Sequence, residues 1–489
     1  MKFWKKALFS AMAVSGVVLA ACGSLTGDKK EASQTKDGLT NILMYQIGEP
    51  PKNFDTLMEN ANKIIEKETG AHLEIKYIGW GDYGDKMAII NSSGENYDIA
   101  FAHNYVLNAQ KGTYTDLTDL IKTTGKELYD ELDPAYIKGN LVDGKLYAVP
   151  VIQNVANQQM LSFNKELVEK YNMDISKVNS YEDLEPLLAT IKEKEPNITP
   201  MAYTKGTKVS DNVDYILGDL LPFVVDLDGD HTKIVNQFEV DHYKEHLRTI
   251  HKYYKAGYIP ADSATSDVNF DLATPNWFVR KETQGPADFG DSLLTTVAGY
   301  PIVSRPLTDA YKTSGSTQSA NFVISSSSKN TEKALEVLVL LNTNKELLNG
   351  LVFGPEGVNW EKDPSGENRI KLLDGYANDT RMSAWNTGNN NLLYITDKVS
   401  DADIAQSKSV LESAKESPAL GFSFNTQPVK SEITSIQNIM NQYNASIHTG
   451  TVDPDVAIPE LMERLNSEGA YKKVMEEMQK QYDAFLADK

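Results

Sequence analysis

Residues 41–78 read NILMYQIGEPPKNFDTLMENANKIIEKETGAHLEIKYI, and this stretch decides the fold class. The apolar run 41–47 predicts a strand. From Asn53 onward apolar residues recur at helical spacing, and Gly70 is the predicted end of that helix. Apolar residues at 73, 75 and 77 alternate as in a second strand. A helix over 83–90 and a strand over 97–102 continue the series, which is typical of an open parallel sheet in an α/β fold.

Three loops follow the carboxyl ends of these predicted strands, where open α/β sheets bind their ligands. They are GEPP (48–51), GWGD (79–82) and HNY (103–105). Trp80, Asp82, Asn104 and Tyr105 in these loops are therefore candidate ligand-binding residues.

The composition excludes several classes of function. The 489 residues carry 48 Lys and Arg against 68 Asp and Glu, a formal net charge of −20. Nucleic acid and anionic membrane surfaces are disfavoured as partners because both require clustered cations. The single cysteine excludes a disulfide framework and a zinc site built on several thiolates. Glycine motifs for nucleotide binding are absent from the sequence, so no cofactor is expected.

The N-terminus has the pattern of an export signal. A cationic start at residues 1–6 precedes a short apolar run that ends at the only cysteine, Cys22. The context LAACG (19–23) resembles the bacterial lipoprotein signal, in which this cysteine is lipidated and becomes the mature N-terminus. We therefore expect a signal peptide over 1–21 and a lipidated, flexible tether over 22–38. A membrane anchor through lipid follows from this interpretation.

Three further segments are DGKLYAVP (143–150), LSFNKELVEKY (161–171) and SSSSKNTEKALEVL (325–338). In this order, behind a lipidated cysteine, they resemble bacterial extracellular solute-binding proteins of carbohydrate ABC transporters. GPEGVNW (354–360) is similar to the larger oligosaccharide-binding lipoproteins of low-GC Gram-positive bacteria, a group that includes receptors for N-glycans. The resemblance covers residues 39–489. It implies a monomeric, non-catalytic receptor that delivers an oligosaccharide to ABC permease subunits in the membrane.

The resemblance also implies an α/β, two-lobe periplasmic-binding-protein-like fold with hinge strands, a ligand cleft and a helical C-terminal part. Such lobes close over the ligand by a hinge motion. We assign residues 39–155 and 270–315 to the first lobe. Residues 156–269 and 316–489, with the C-terminal helical extension, are assigned to the second.

Sugars bind to aromatic faces and planar polar groups, which makes the tryptophans beyond the signal peptide candidates for the cleft. Each of these lies among loop-forming residues: Trp80, Trp277, Trp360 and Trp385. Neighbouring amides that could bind sugar hydroxyls are Gln153, Asn154 and Asn386, in addition to the loop residues above. The alternative for any single tryptophan is a packing role beneath a loop.

Two other classes of function remain open from the residues alone. His242, Glu245 and His246 form H-x-x-E-H, the inverted zinc-peptidase pattern, with both histidines on one helical face. A surface hydrolase of peptides, or of glycans through a carboxylate pair, is therefore one alternative. A receptor for peptides or metal is the other.

Overall fold

The computed structural model describes residues 38–266, 270–377, 379–467 and 469–489. The predictions for the signal peptide and for lipidation of Cys22 fall outside these residues. Within them, no helix combines the length and apolar character needed to cross a bilayer.

The first lobe is built on a five-stranded sheet. In spatial order its strands are Ala71–Ile78, Thr40–Ile47, Ile99–Phe101, Asn321–Ile324 and Ala148–Pro150. The first three are parallel, with Met44 opposite both Ile75 and Ile99. The strand Asn321–Ile324 runs antiparallel to both of its neighbours. The strand–helix–strand order predicted from residues 41–102 is confirmed.

The helix Phe54–Thr69 shows why this local prediction succeeds. Its buried residues include Leu57, Ala61 and Ile65, which share the face turned to the core. The helix ends at Gly70, which has a φ of 66° and donates its N–H to the carbonyl of Glu66. Glycine takes this left-handed conformation at low cost, so the chain can turn directly into the next strand.

The second lobe contains a four-stranded sheet of Ile302–Pro306, Gln158–Asn164, Trp277–Gln284 and Thr199–Met201, in that spatial order. Phe163 lies between Val279 and Val303, its partners on the two antiparallel neighbours. The assignment of residues 270–315 to the first lobe is therefore wrong, because the strands Trp277–Gln284 and Ile302–Pro306 belong to the sheet of the second lobe.

The start of the segment 316–489 was also assigned to the wrong lobe. The strand Asn321–Ile324 completes the first sheet. The helices Thr331–Thr343 and Lys345–Phe353 place their apolar faces in the first core. A small sheet of Trp360–Lys362, Arg369–Leu372 and Ile395–Thr396 has its own apolar cluster, to which Leu348 and Val352 of the second of these helices belong.

The remaining elements complete the two lobes. Further helices of the first lobe are Tyr83–Ser93, Tyr105–Gln110, Leu120–Thr123, Lys126–Glu131 and Pro134–Asn140. Those of the second are Lys165–Lys170, Glu185–Lys194, Asp241–Lys255 and Ser292–Ala298, with Ser314–Thr317 and Asp401–Ser413 on connecting segments. Shorter strands are Leu141–Val142 with Lys145–Leu146, and Val235–Asn236 with Phe223–Asp226 and Val213–Tyr215. Single 3-10 turns occupy Glu182–Leu184, Gln237–Glu239, Pro286–Asp288, Ala384–Asn386, Asn390–Leu392 and Gln427–Val429.

The chain ends in the helices Lys430–His448, Pro454–Ser467 and Ala470–Ala487, as predicted for a helical C-terminal part. Ile436, Leu461 and Val474, one from each helix, are fully buried. They belong to the same apolar cluster as the second lobe's sheet. These helices are therefore an integral part of the second lobe.

Three segments of the described chain connect the lobes, and they lie side by side. Asn157 and Tyr311 exchange backbone hydrogen bonds of 3.0 and 3.1 Å. On its other side Tyr311 pairs in parallel with Lys415. Beyond that pair, Leu420 packs in the first core and Phe422 in the second. This three-strand ribbon joins the lobes behind the cleft.

Candidate ligand cleft

A cavity of about 660 Å³ lies between the two lobes. The first lobe contributes Asn104 to Leu107, at the carboxyl end of its third parallel strand. The largest continuous contribution, Lys208 to Asp219, comes from a segment of the second lobe that we call the cleft loop, residues 208–220. The connecting segments add Asn157, Thr308, Asp309, Tyr311, Thr313, Ser314, Gly315, Ser316 and Gln318. The cavity therefore occupies the position expected for a ligand cleft.

Two lysines from different segments face this cavity. The ammonium of Lys281 donates to the hydroxyl of Ser210 at 2.8 Å and to Oε1 of Gln159 at 3.1 Å. Burial lowers the pKa of Lys281, and the nearby charge of Lys208 lowers it further. Burial also lowers the pKa of Lys208. No ion pair within 4 Å involves either lysine in the described part of the chain, so both groups can offer hydrogens to a ligand.

The histidines of the H-x-x-E-H pattern lie behind the cleft loop and are occupied by carboxylates. Nδ1 of His242 is 2.5 Å from Oδ2 of Asp211, and its Nε2 is 3.3 Å from Asp226. Nδ1 of His246 is 3.0 Å from Glu182. Burial lowers the pKa of each histidine, but these carboxylates outweigh it and raise both values above 6.5.

A zinc site at these histidines finds no support in the structure. Glu245, the acid that the peptidase pattern requires, is exposed to solvent. Among the described residues, no group of three or more histidines, cysteines or acids is arranged to hold a metal ion. Both histidines instead contact Asp211 of the cleft loop, with Nε2 of His246 at 3.6 Å from Oδ2, and so tie the loop to the helix Asp241–Lys255.

Trp80 and Trp385 form a stacked pair at the carboxyl edge of the first sheet. Their ring centroids are 5.6 Å apart with an angle of 27° between the planes. Trp385 is braced from below by the edge of Phe101, at 5.8 Å. Trp80 remains 58% exposed although it is a large apolar side chain. The exposed indole of Trp80, supported by the half-buried Trp385 on the edge that also presents Asn104, is suited to a sugar ring.

Trp277 and Trp360 have packing roles, so the prediction that they bind ligand is wrong. Trp277 is fully buried against Tyr300 and Arg280 in the second lobe. Trp360 is buried, and its Nε1 donates to the carbonyl of Gly354 at 2.8 Å. Neither ring can present a face to a ligand in the cleft.

The other predicted residues of the first lobe differ in what they can contribute. Asn104 is exposed at a φ of 45°, and Tyr105 lines the cavity while its hydroxyl donates to the carbonyl of Asn140 at 2.6 Å. Asp82 is exposed and pairs with Lys86 at 3.0 Å. Asn386 is buried, and its carbonyl accepts a hydrogen bond from Gln46 at 2.9 Å. Asn104 and Tyr105 therefore face the cavity, whereas Asn386 serves the fold.

Gln153 and Asn154 lie on the first connecting segment. The amide of Gln153 donates to Ser319 at 3.0 Å. That of Asn154 donates to Asp288 at 2.9 Å and accepts from the Ala287 N–H at 2.7 Å. Burial raises the pKa of Asp288 to about 6. Both amides are therefore engaged in contacts that hold the junction between the lobes.

Comparison with known proteins agrees with this architecture. A profile of the family described as bacterial extracellular solute-binding protein matches residues 36–346. A second profile, described as a domain of unknown function, matches residues 418–487. The carbohydrate ABC transporter substrate-binding protein of Streptococcus pneumoniae serotype 4 is 60% identical over 491 residues, and the alignment covers 100% of both chains.

Solved structures give the same result. The crystal structure of the N-glycan transport solute binding protein (NgtS) from Streptococcus pneumoniae has a TM-score of 0.89 and 62% sequence identity, covering 92% of this chain and 99% of that chain. The complex of that protein with Man1GlcNAc has a TM-score of 0.85 at 61% identity, covering 91% and 99%. Its complex with Man5GlcNAc has a TM-score of 0.82 at 62% identity, covering 92% and 99%.

Proposed function

The chain belongs to the bacterial extracellular solute-binding proteins, and from this premise we propose that it captures N-glycan-type oligosaccharides for an ABC importer. These proteins bind solutes for transport and are not enzymes. The ligand class is supported by the structures of the similar streptococcal protein with Man1GlcNAc and Man5GlcNAc. The observation that carries the proposal in this chain is the inter-lobe cavity with a tryptophan pair on the same edge of the first sheet.

The cavity and the tryptophan pair supply complementary parts of sugar recognition. An exposed indole offers an apolar face to the C–H side of a sugar ring, while a polar cavity binds its hydroxyls. On the second lobe, Lys281 and Thr283 both donate hydrogen bonds to Oε1 of Gln159. Such preorganised groups lose little side-chain entropy when a ligand replaces water. We therefore infer that the glycan extends from the cavity toward Trp80 and Trp385.

Delivery to the importer requires two further features, which are part of the proposal. Closure of the lobes about the connecting ribbon is the change that a membrane permease would recognise, since the ligand stabilises the closed state by its extra contacts there. Lipid on Cys22, with residues 23–38 as a tether, would keep the receptor near the permease on the extracellular face of the membrane.

Calorimetry with Man5GlcNAc, Man1GlcNAc and a malto-oligosaccharide, combined with chromatography of the incubated sugars, tests this function. We expect binding heat with the mannose-containing sugars and unchanged sugars afterwards. Appearance of cleaved products would indicate a hydrolase instead. Absence of heat with all the sugars, together with heat on a peptide panel, would indicate a peptide receptor.

Substitution of the paired tryptophans tests the proposed binding surface. Trp80→Ala and Trp385→Ala should each weaken Man5GlcNAc binding about 5-fold, since an aromatic stacking contact contributes about 1 kcal/mol. Trp360→Phe is the matched control, because that ring packs away from the cleft. Unchanged affinity in both alanine variants would show that the pair is not part of the site.

A further inference from the structure

The C-terminal module, which we define as residues 418–487, coincides with the region matched by the profile of unknown function. We propose that this module forms one wall of the ligand cleft and holds the cleft loop, residues 208–220, in the geometry that binds ligand. This inference rests on the proposed function and assigns a role in it to the module. His448 is the positioning residue at its centre.

The wall comes from the start of the module. Phe422, Ser423, Phe424 and Thr426 line the cavity. The ring of Phe422 lies 5.1 Å from Tyr482 and 5.6 Å from Phe485, both on the last helix. The position of the wall is therefore set by the packing of the C-terminal helices.

Side chains of the same module hold both ends of the cleft loop through hydrogen bonds to the backbone of the loop. The N–H of Val209 donates to Nδ1 of His448 at 3.2 Å. Nδ2 of Asn444 donates to the carbonyl of Leu220 at 3.1 Å. Asn444 and His448 are four residues apart, so they lie on one face of the helix Lys430–His448. One helix face thus fixes the points where the loop enters and leaves the cavity.

The bond to Val209 also sets the groups that face the ligand. Lys208 and Ser210 flank Val209, and the hydroxyl of Ser210 accepts from Lys281 at 2.8 Å. If the loop moved at Val209, Lys208 would be displaced and Lys281 would lose its hydrogen bond to Ser210. His448 therefore acts on ligand binding through the loop without touching the ligand.

The environment of His448 matches the role of a neutral acceptor. The side chain is fully buried, with Phe238 and Tyr243 at 5.9 and 6.2 Å from its ring. Burial and the charges of Lys208 and Lys281 hold the pKa of His448 well below 6.5. A neutral imidazole has one acceptor nitrogen, and here Nδ1 faces the Val209 N–H, so Nε2 carries the ring hydrogen.

The rest of the module is hydrogen-bonded to the helix Asp241–Lys255 of the second lobe, which keeps the helix Lys430–His448 in position. Nη2 of Arg248 donates to Oδ1 of Asp455 at 2.7 Å. Nδ1 of His251 is 2.7 Å from the carbonyl of Gly450, immediately after the helix that carries His448. A change at His448 should therefore release the loop and leave the module in place.

The test compares His448→Leu with His448→Asn in the full protein. Leucine removes the acceptor, whereas Oδ1 of asparagine can take the position of Nδ1. We expect at least 10-fold weaker Man5GlcNAc binding for His448→Leu and a loss below about 3-fold for His448→Asn. Val474→Ala is the matched control, because it removes buried volume from the module away from the loop. It should lower Tm without changing affinity.

Hydrogen exchange of residues 208–220 without ligand is the second readout. It should become faster in His448→Leu and stay at the wild-type rate in Val474→Ala. Asn444→Ala, which frees the other end of the loop, serves if the leucine variant does not fold. Wild-type affinity in His448→Leu with unchanged exchange, or equal affinity losses in His448→Leu and Val474→Ala, would overturn the inference. Absence of glycan binding by the wild type would refute the proposed function instead, and exchange would still test the loop.

Discussion

The buried carboxyl group of Asp214 on the cleft loop should destabilise the protein at neutral pH, and its removal should therefore stabilise it. Asp214 is only 4% exposed and accepts a hydrogen bond from the hydroxyl of Ser417. Burial raises the pKa of Asp214 from 3.8 to about 6, although the bond from Ser417 opposes this shift. Asp214→Asn keeps the shape and the acceptor oxygen while it removes the charge.

The size and sign of the effect follow from this pKa. Above pH 6 the carboxyl group is ionised in both the folded and the unfolded protein. The difference between a pKa of 3.8 in the unfolded chain and about 6 in the folded protein, at about 1.36 kcal/mol for each pH unit, then lowers the free energy of unfolding by about 3 kcal/mol. Below pH 3.8 the group is protonated in both states and the loss vanishes. Asp214→Asn should therefore raise the free energy of unfolding by up to about 3 kcal/mol at pH 7.5 and by about 1 kcal/mol at pH 4.5.

Urea unfolding of both proteins at the two pH values measures this difference. Asp219→Asn is the control, because it makes the same chemical change at an exposed position of the same loop. That variant should leave the unfolding free energy nearly unchanged. A stabilisation of Asp214→Asn that is equal at both pH values, or absent at pH 7.5, would refute the electrostatic reasoning.

Two further changes test other contacts of the second lobe. Burial raises the pKa of Glu182, but His246 and Thr249 outweigh it and lower the value to about 2, while the pKa of His246 is raised. The pair therefore stabilises the fold between about pH 4.5 and 6.5. In urea unfolding, Glu182→Gln should lower the free energy of unfolding by less than about 1 kcal/mol in this range, and by a smaller amount at pH 9.5. Equal losses at the two pH values would contradict this reasoning. Gly450 and Gly469 have φ values of 71° and 70°, but only at Gly450 would a Cβ lie 2.6 Å from the carbonyl of Ile250. Gly469→Ala should therefore lower the free energy of unfolding by about 1–2 kcal/mol, because alanine is strained in the left-handed conformation, and Gly450→Ala should lower it clearly more. Equal losses of Tm in the two variants would contradict a tight contact at Gly450.

The first lobe could be predicted from sequence because its signals are local. The strands and helices over 41–102 show their periods within single elements, and observed bounds such as Thr40–Ile47 and Phe54–Thr69 differ from the prediction by one or two residues. The strand Trp277–Gln284 was misplaced because its partner, Gln158–Asn164, lies more than a hundred residues earlier. Sequence periodicity identifies a strand but carries no information about which strand it pairs with.

The tryptophans show the same limit at the site. All four have similar loop-forming neighbours, yet Trp80 is exposed and Trp277 is fully buried. Exposure depends on what packs above the ring, which the neighbouring residues do not determine. Lys208 and Lys281 were missed for a related reason. They come from separate segments, share no spacing, and are brought together only by the second sheet and the cleft loop.

The side-by-side arrangement of Asn157, Tyr311 and Lys415 constrains the mechanics of the molecule. A ribbon of three hydrogen-bonded strands can bend perpendicular to its plane, but the strands resist sliding past one another because sliding would break the cross-strand hydrogen bonds. The two lobes should consequently move by bending of this ribbon, with little sliding of one lobe past the other. Each closure would then bring the same residues of the two lobes together around the sugar, although the lobes are not fixed relative to each other.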